Sequence, residues 1–253
     1  MRIALITGAS SGIGREFARQ IPKLYKDLDA VWLVARRTDR LKELETELDV
    51  PVQIFDGDLM RDYIYERIER ELSRKRADIR MLVNCAGYGK SGVFRESDEK
   101  SQLGMVQLNC YALTKMIHMC MPYLSGGSRI INLSSSASFA PQPGFAVYAA
   151  SKSYVRSFSY ALRAELKERG ISVTCVCPGP VDTEFFKTSG ELPGKEKMLK
   201  KAPVEKVVHK ALLDAAHKRR TSVYGVSMKS VRIGTKLFPS FVSTEIMRWI
   251  NNI

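Results

Sequence analysis

The sequence RIALITGASSGIG at residues 2–14 decides the fold. Its first six residues form an apolar run that is typical of a buried β-strand. Glycines with the spacing G-x-x-x-G-x-G follow, and a helix-like run comes next. A strand, a glycine-rich turn and a helix in this order indicate dinucleotide binding, because glycines permit close backbone approach and a helix N-terminus attracts a pyrophosphate. The alternative interpretation is a merely flexible loop.

Strand-like and helix-like patterns alternate along the rest of the chain. Further strands are predicted at residues 30–35, 52–55, 79–84, 129–133, 171–176 and 222–224. Helices are predicted at residues 60–76, 98–124, 146–169 and 203–220. This alternation predicts an α/β fold of the Rossmann type, with a doubly wound parallel sheet of about seven strands and helices on both faces, in three αβα layers. Residues 1–253 are predicted to form a single domain.

The composition is that of an ordinary globular protein, with 45% hydrophobic and 26% charged residues in a chain of 253. Its apolar runs are too short for a transmembrane helix, and its first residues predict a strand rather than a signal peptide. The five cysteines and three histidines show no metal-ligand spacing, so no metal site is predicted. Reduced, buried cysteines fit a cytoplasmic protein best.

The net charge of +13 suggests an anionic partner. The basic residues occur in short, scattered clusters, which are more typical of solvated helix ends than of a nucleic-acid interface. A phosphorylated cofactor would use one or two of them. We therefore predict no nucleic-acid partner, and keep a nucleic-acid binder as an alternative class.

The second predicted strand ends at Arg36 and Arg37. In a dinucleotide fold the end of this strand meets the adenosine ribose. An acidic residue there accepts a hydrogen bond from the 2′-hydroxyl of NAD, whereas an arginine pairs with the 2′-phosphate of NADP. The sequence has two arginines and no acidic residue at this point, which favours NADP. A basic loop at the start of a helix is the alternative.

Tyr148 and Lys152 stand four residues apart in the helix predicted at 146–169, so they share one helix face. A nearby ammonium group lowers the pKa of a phenol, which ordinarily lies near ~10. Such a pair suits proton transfer to a carbonyl or from an alcohol. By itself, this spacing is more often a half-buried helix face.

Six short motifs follow one another in an order that is typical of one family. They are TGASSGIG at 7–14, NCAG at 84–87, Asn109, Ser135 placed 13 residues before Tyr148, the pair Tyr148-x-x-x-Lys152, and PGPVDT at 178–183. On these motifs, the chain resembles the short-chain dehydrogenase/reductase family from Thr7 to about Thr183. The departure is Cys85 in place of the second asparagine of N-N-A-G; a small apolar residue also fits a buried strand end.

The resemblance implies an enzyme in which Tyr148 exchanges a proton with the oxygen of a carbonyl or alcohol substrate. Lys152 would hold the nicotinamide ribose and lower the pKa of Tyr148. Ser135 would hydrogen-bond the substrate oxygen, an effect of oxyanion-hole type, and the serines on either side of it are rivals for this role. Asn109 would support a water that links Lys152 to solvent; alternatively, it is a plain helix asparagine bonded to the backbone.

The same resemblance implies NADP as the cofactor and a set of residues that would hold it. They are Gly8, Ser10, Ser11, Gly12, Ile13 and Gly14 at the pyrophosphate; Arg36, with Arg37 beside it, at the 2′-phosphate; Asp58 and Leu59 at the adenine; Asn84, Ala86 and Gly87 on the adenosine side; and Tyr148, Lys152, Pro178, Gly179 and Thr183 near the nicotinamide.

Two segments lie outside these motifs. Residues 184–202 interrupt the α/β alternation, and the resemblance implies a substrate lid there, with a surface loop as the alternative. Residues 225–253 form a basic and apolar C-terminal extension. One interpretation is an amphipathic helix in weak contact with a membrane surface. We favour the other, in which the extension packs over the chain's own cleft or a partner subunit.

Apolar residues near these segments favour an apolar substrate, such as a hydroxysteroid, a 3-oxoacyl compound or a similar ketone. The resemblance also implies a homodimer or homotetramer, assembled through the helices of Asn109 and Tyr148. The alternative function is an NADP-binding regulatory protein without turnover. The presence of Ser135, Tyr148 and Lys152 together argues against it.

Overall fold

The sheet has seven parallel strands in the order β3-β2-β1-β4-β5-β6-β7. The computed structural model describes residues 1–185, 189, 201–251 and 253, with Lys236 described by its backbone alone. The strands are β1 Arg2–Thr7, β2 Ala30–Ala35, β3 Val52–Asp56, β4 Asp78–Asn84, β5 Arg129–Leu133, β6 Ser172–Val176 and β7 Thr221–Ser222. This arrangement confirms the predicted Rossmann-type, doubly wound α/β fold.

Helices cover both faces of the sheet. They are α1 Gly12–Leu24, α2 Thr38–Thr46, α3 Asp62–Arg74, α4 Glu99–Val106, α5 Leu113–Cys120, α6 Ala146–Glu165, α7 Val204–Ala216, α8 Val226–Leu237 and α9 Ser240–Ile250. One buried cluster joins the sheet to α1, α2 and α7 through side chains such as Phe17, Leu41 and Leu212. A second cluster joins the opposite face to α3, α5 and α6 through Ile68 and Val155, among others. Because the central strands are buried on both faces, they are continuous apolar runs in the sequence.

Two helical regions differ from the sequence prediction. The helix predicted at 98–124 is interrupted by a π-helical segment at Gln107–Ala112, which carries Asn109. Such segments occur frequently at functional sites. Helix α2 was not predicted, because its apolar stripe is narrow: within it, Leu41 and Leu44 alone are buried.

The strand order reverses between β1 and β4, which lie side by side at the centre of the sheet. In sheets of this kind, a crevice opens at the carboxyl ends of the strands beside this point. A cavity of about 1430 Å³ lies there. In the part of the chain that is described, no helix is long and apolar enough to cross a membrane.

Candidate active site

The cavity brings together most of the residues that the sequence singled out, from segments far apart in the chain. The predicted residues that line it are Gly8, Ser10, Ser11, Gly12, Ile13, Gly14, Arg36, Arg37, Asp58, Leu59, Ala86, Gly87, Ser135, Tyr148, Lys152, Pro178, Gly179 and Thr183. Asn84 and Asn109 are not among the lining residues. Among the described residues, no group of three histidine, cysteine or acidic side chains could hold a metal ion.

The turn between β1 and α1 has the shape that a pyrophosphate needs. Gly8 has φ +68°, and a Cβ on it would lie 2.8 Å from the backbone nitrogen of Ala86. A Cβ on Gly14 would collide with the carbonyl oxygen of Gly8. Ser11, at the N-cap of α1, makes no side-chain capping bond, and the first turn holds no acidic residue. The first backbone N–H groups of α1 therefore remain for an anionic ligand, and the turn fits a dinucleotide.

The ring of Tyr148 is held between two phenylalanines. Tyr148 stacks on Phe145 with ring centroids 4.3 Å apart, and the ring of Phe185 lies 5.6 Å away at a tilt. A Cβ on Gly89 would come within 2.8 Å of both phenylalanine rings. Three aromatic rings pack around Gly89 and leave no room for a side chain. The sequence gives no local signal for this requirement, so Gly89 was not predicted as a site residue.

Lys152 carries a buried ammonium group next to this tyrosine. Its Nζ donates a hydrogen bond to the carbonyl oxygen of Leu133 at 2.9 Å and lies 5.8 Å from the centre of the Tyr148 ring. In the described part of the chain, no acidic side chain forms a salt bridge with it. Burial lowers the pKa of Lys152 to about 8. A poorly solvated cation of this kind strongly favours a neighbouring anion.

Ser135 is positioned by its own local structure. It is the N-cap of a short 3₁₀ helix, Ser136–Phe139, and its Oγ accepts a hydrogen bond from the backbone N–H of Ala137 at 3.1 Å. This bond fixes the oxygen and leaves the hydroxyl hydrogen to donate. The Oγ of Ser134, by contrast, donates to the carbonyl oxygen of Lys152 at 2.7 Å. Local geometry therefore favours Ser135 over Ser134 as a donor to a ligand.

Asn109 holds the loop after β4 against α6. Its Nδ2 donates to the Tyr88 carbonyl at 2.9 Å and to Ser151 Oγ at 3.0 Å, and its Oδ1 accepts from the Tyr88 N–H at 3.1 Å. The two bonds to Tyr88 are bonds to its backbone, as the alternative interpretation of Asn109 as a plain helix asparagine expects. A Cβ on Gly87 would lie 2.8 Å from Asn109 Oδ1 and 3.3 Å from Lys152 Nζ, so the asparagine lies close to the lysine.

Asn84, predicted from the sequence on the adenosine side of the cofactor, is not on the cavity wall. Its side chain is buried and donates to Asn132 Oδ1 at 2.9 Å, and Asn132 donates in turn to Ser159 Oγ at 3.0 Å. Successive side chains of a strand point to opposite faces, and this one points toward α6 rather than along the cavity wall. Asn84 therefore ties the sheet to α6.

A cluster of charges lies at the end of the cavity beside the carboxyl end of β2. Arg37 donates to Ser11 Oγ at 2.6 Å and to Glu184 at 2.9 Å, and Arg40 donates to the other oxygen of Glu184 at 2.5 Å. The two guanidinium groups, Arg40 first, lower the pKa of Glu184. Arg36 is exposed and also lines the cavity. Sequence reasoning missed Arg40 and Glu184; recognition of α2 would have placed Arg40 one turn after Arg37.

Helices α8 and α9 of the C-terminal extension form the far wall of the cavity. Met228 packs so closely that a Cβ on Gly179 would lie 2.6 Å from its sulfur. Asn251 donates a hydrogen bond to the carbonyl oxygen of Pro143 at 2.8 Å, which anchors the end of α9. The extension adds a mostly apolar set of lining residues: Met228, Val231, Gly234, Thr235, Phe238, Ser243, Ile246, Met247 and Ile250.

The fold and this cavity are those of a Rossmann-type protein with a dinucleotide-binding turn at the carboxyl ends of a parallel sheet. Residues 2–193 match the family model described as short chain dehydrogenase. The chain belongs to the short-chain dehydrogenase/reductase family.

Individual relatives support this assignment. The chain is similar to sulfoacetaldehyde reductase 2 of Chromohalobacter salexigens, with 36% identity over 75% of this chain and 77% of that protein. It is also similar to the very-long-chain 3-oxoacyl-CoA reductase of Neurospora crassa, with 32% identity over 79% of this chain and 63% of that protein. A solved short-chain dehydrogenase from Sphingobium yanoikuyae in complex with NADPH has 28% identity and a TM-score of 0.78, over 94% of this chain and 96% of that one.

Proposed function

We propose that the protein is an NADP(H)-dependent oxidoreductase that interconverts a carbonyl and a secondary alcohol. The observation that carries the proposal is the placement of Ser135, Tyr148 and Lys152 on the cavity that also holds the glycine-rich turn. A carbonyl bound there would meet a proton donor and a hydrogen-bond donor beside a dinucleotide site. The bound reduced nicotinamide would supply the hydride.

In the proposed mechanism, the hydroxyl of Tyr148 gives its proton to the carbonyl oxygen during reduction and takes one during alcohol oxidation. Ser135 donates a hydrogen bond to the same oxygen and stabilises its developing negative charge. Lys152 would hold the nicotinamide ribose, and its buried charge favours the phenolate form of Tyr148. Asn109 holds the loop after β4 beside Lys152 and is a positioning residue in this mechanism.

The substrate is proposed to be apolar, such as a hydroxysteroid, a 3-oxoacyl compound or a similar ketone. The apolar wall contributed by α8 and α9 supports this proposal, as does the similarity to a very-long-chain 3-oxoacyl-CoA reductase. Residues 184–202 are proposed to be the substrate lid of this single domain; most of them lie outside the described residues. We also propose that the protein is cytoplasmic and that it forms a homodimer or homotetramer.

The direct test is the oxidation of NADPH in the presence of a carbonyl panel. The panel contains a long-chain 3-oxoacyl thioester, a ketosteroid and a small aliphatic ketone. We expect turnover with at least one of the two bulky apolar carbonyls and a lower kcat/KM for the small ketone. Binding of NADPH without turnover of any carbonyl would favour the alternative, a regulatory protein without turnover.

NADP is proposed over NAD because Arg36 and Arg37 line the cavity where β2 ends. Arg40 shares the carboxylate of Glu184 with Arg37, so Glu184 neutralises these two guanidinium groups. A 2′-phosphate would compete with Glu184 for Arg37 and Arg40. We expect Arg37→Ala to weaken NADPH binding by roughly tenfold, since charge-assisted hydrogen bonds are lost. We expect Glu184→Gln to tighten it by a few-fold. Binding of NADH should change little in either variant.

The measurement is a titration of both cofactors monitored by protein fluorescence. Glu47→Gln is the matched control. Glu47 also bridges two arginines, Arg15 and Arg19, but none of these three residues lines the cavity. Equal affinity for NADH and NADPH in the unmodified protein would contradict the proposed preference. A Glu184→Gln variant that loses NADPH affinity would contradict the competition between carboxylate and phosphate.

A further inference from the structure

Helix α8 is apolar on two opposite faces. Met228, Val231 and Thr235 face the cavity. On the other side, Val226, Ile233 and Leu237 are 79%, 62% and 74% exposed and lie within about 40° of one another around the helix axis. A surface helix normally has one apolar face, which it buries in its own protein. The fold therefore does not bury this second apolar face, the outer stripe of α8, which consists of Val226, Ile233 and Leu237.

The exposed apolar surface continues from α8 onto α9. Phe241 and Trp249 lie on α9 and are 70% and 69% exposed. Phe238, in the connection between the helices, and Ile246 line the cavity and are also partly exposed to solvent. Large aromatic and aliphatic side chains of two adjoining helices therefore face solvent together. Clustered exposure of this kind marks an interaction surface, whereas single exposed apolar residues do not. The family model ends at residue 193, so this surface lies outside it.

A basic cleft lies beside the outer stripe. It has a volume of about 330 Å³ and is lined by Lys210, Asp214, Arg219, Thr221, Val223, Lys229, Arg232 and Ile233. Asp214 is buried and already pairs with Lys210 at 2.5 Å and with Arg219 at 3.4 Å. In the described residues, Lys229 and Arg232 have no acidic partner. The cleft thus has an excess of positive charge and opens next to Ile233 of the apolar stripe.

We propose that α8 and α9 dock on the surface of an anionic phospholipid bilayer. The apolar stripe would enter the boundary between headgroups and acyl chains, and Lys229 and Arg232 would meet lipid phosphates in the cleft. Apolar burial and electrostatic attraction act together in such interfacial helices. A second copy of the chain is a poorer occupant of this face, because it would bring a second basic cleft to it. The homo-oligomer proposed above would form through the helices of Asn109 and Tyr148 instead. In the membrane-bound protein, the opposite face of α8, with Met228, Val231 and Thr235, would still line the cavity.

The test uses the full chain and vesicles of phosphatidylcholine with or without phosphatidylserine. Binding is measured by flotation and by tryptophan emission. Trp249 is exposed and Trp32 is buried in the sheet, so a blue shift on addition of vesicles reports on α9. We expect flotation and a blue shift with the anionic vesicles, and much weaker binding to phosphatidylcholine alone. Neither readout needs cofactor or turnover, so its result is independent of the proposed activity.

Two double variants separate the electrostatic contribution to vesicle binding from the apolar contribution. We expect Lys229→Ala with Arg232→Ala to weaken binding to anionic vesicles by about 25-fold, given roughly fivefold for each basic side chain. Ile233→Glu with Leu237→Glu should weaken binding by a similar or larger factor, since apolar burial is lost. The matched controls are Leu24→Glu, at the exposed end of α1, and Lys26→Ala, in the exposed turn that follows it, and both should bind like the unmodified protein.

An unchanged midpoint of urea unfolding shows that each variant is folded. The proposal is overturned if the anionic vesicles do not bind the protein, or if the α8 variants and the α1 controls lose binding equally. It is also overturned if sedimentation shows that the Ile233→Glu, Leu237→Glu variant dissociates an oligomer while no form of the protein binds vesicles. That last outcome would assign the stripe to a second copy of the chain.

Discussion

Replacement of Tyr148 by phenylalanine is expected to lower kcat for carbonyl reduction by about 10²–10⁴-fold, the usual contribution of a positioned proton donor. The substitution removes the hydroxyl and keeps the ring between Phe145 and Phe185. NADPH affinity should therefore change little, and stability should change by no more than about 1 kcal/mol. The measurement is steady-state reduction of the best carbonyl from the panel, together with NADPH binding and urea unfolding.

The control for this experiment is Tyr154→Phe. Tyr154 lies on the same helix and is exposed, with its hydroxyl bonded to Thr114 at 2.8 Å. This variant should keep full turnover, which separates the effect of one hydroxyl from a general effect on α6. Turnover retained by Tyr148→Phe would remove the tyrosine from the mechanism, and Ser135 would then have to be tested as the proton donor.

Replacement of Lys152 by methionine is expected to lower kcat by about 10²-fold or more, because the charge that favours the phenolate of Tyr148 is lost. It is also expected to stabilise the protein. Burial lowers the pKa of Lys152 from 10.5 to about 8, so the folded protein holds this proton less tightly than the unfolded chain. That difference corresponds to a penalty of about 3 kcal/mol at neutral pH. The loss of the charge-assisted bond to the Leu133 carbonyl offsets about 2 kcal/mol of the gain, which leaves a net stabilisation of about 1 kcal/mol.

The pH dependence gives a second readout. Between the folded and unfolded pKa values of Lys152, the unfolded chain binds more protons than the folded protein, so the contribution of Lys152 to stability becomes more favourable as pH rises. The advantage of Lys152→Met should therefore be full below about pH 8 and shrink above it. Urea unfolding of both proteins across this range measures the difference. Lys23→Met, at an exposed lysine of α1, is the control and should show neither effect.

A destabilised Lys152→Met variant would show that the ammonium is well solvated or paired in the folded protein. A stabilised variant with normal turnover would separate burial of the charge from its role in catalysis. The expected combination, greater stability with lost turnover, is the pattern of a functional site at which stability is given up for reactivity.

The sequence by itself determined where the strands lie along the chain, the glycine-rich turn and the fold class. These features are local: apolar runs mark buried strands, and closely spaced glycines mark a turn that needs a bare backbone. The spacing of Tyr148 and Lys152 likewise placed both on one face of α6 before any tertiary contact was known. Helix α2 escaped prediction because its buried stripe consists of Leu41 and Leu44 within a charged segment.

Tertiary structure alone decided which side chains meet. Glu184 pairs with Arg37 across 147 residues of chain, and no local pattern encodes that contact. Asn84 has the right place in its motif, yet the alternation of side chains along β4 turns it toward Asn132 and away from the cavity wall. Helix α8 is a mixed apolar and basic stretch in the sequence, and its division into a cavity face and a solvent face depends on where the sheet holds it. Periodicity fixes the faces of an element, whereas packing determines what each face contacts.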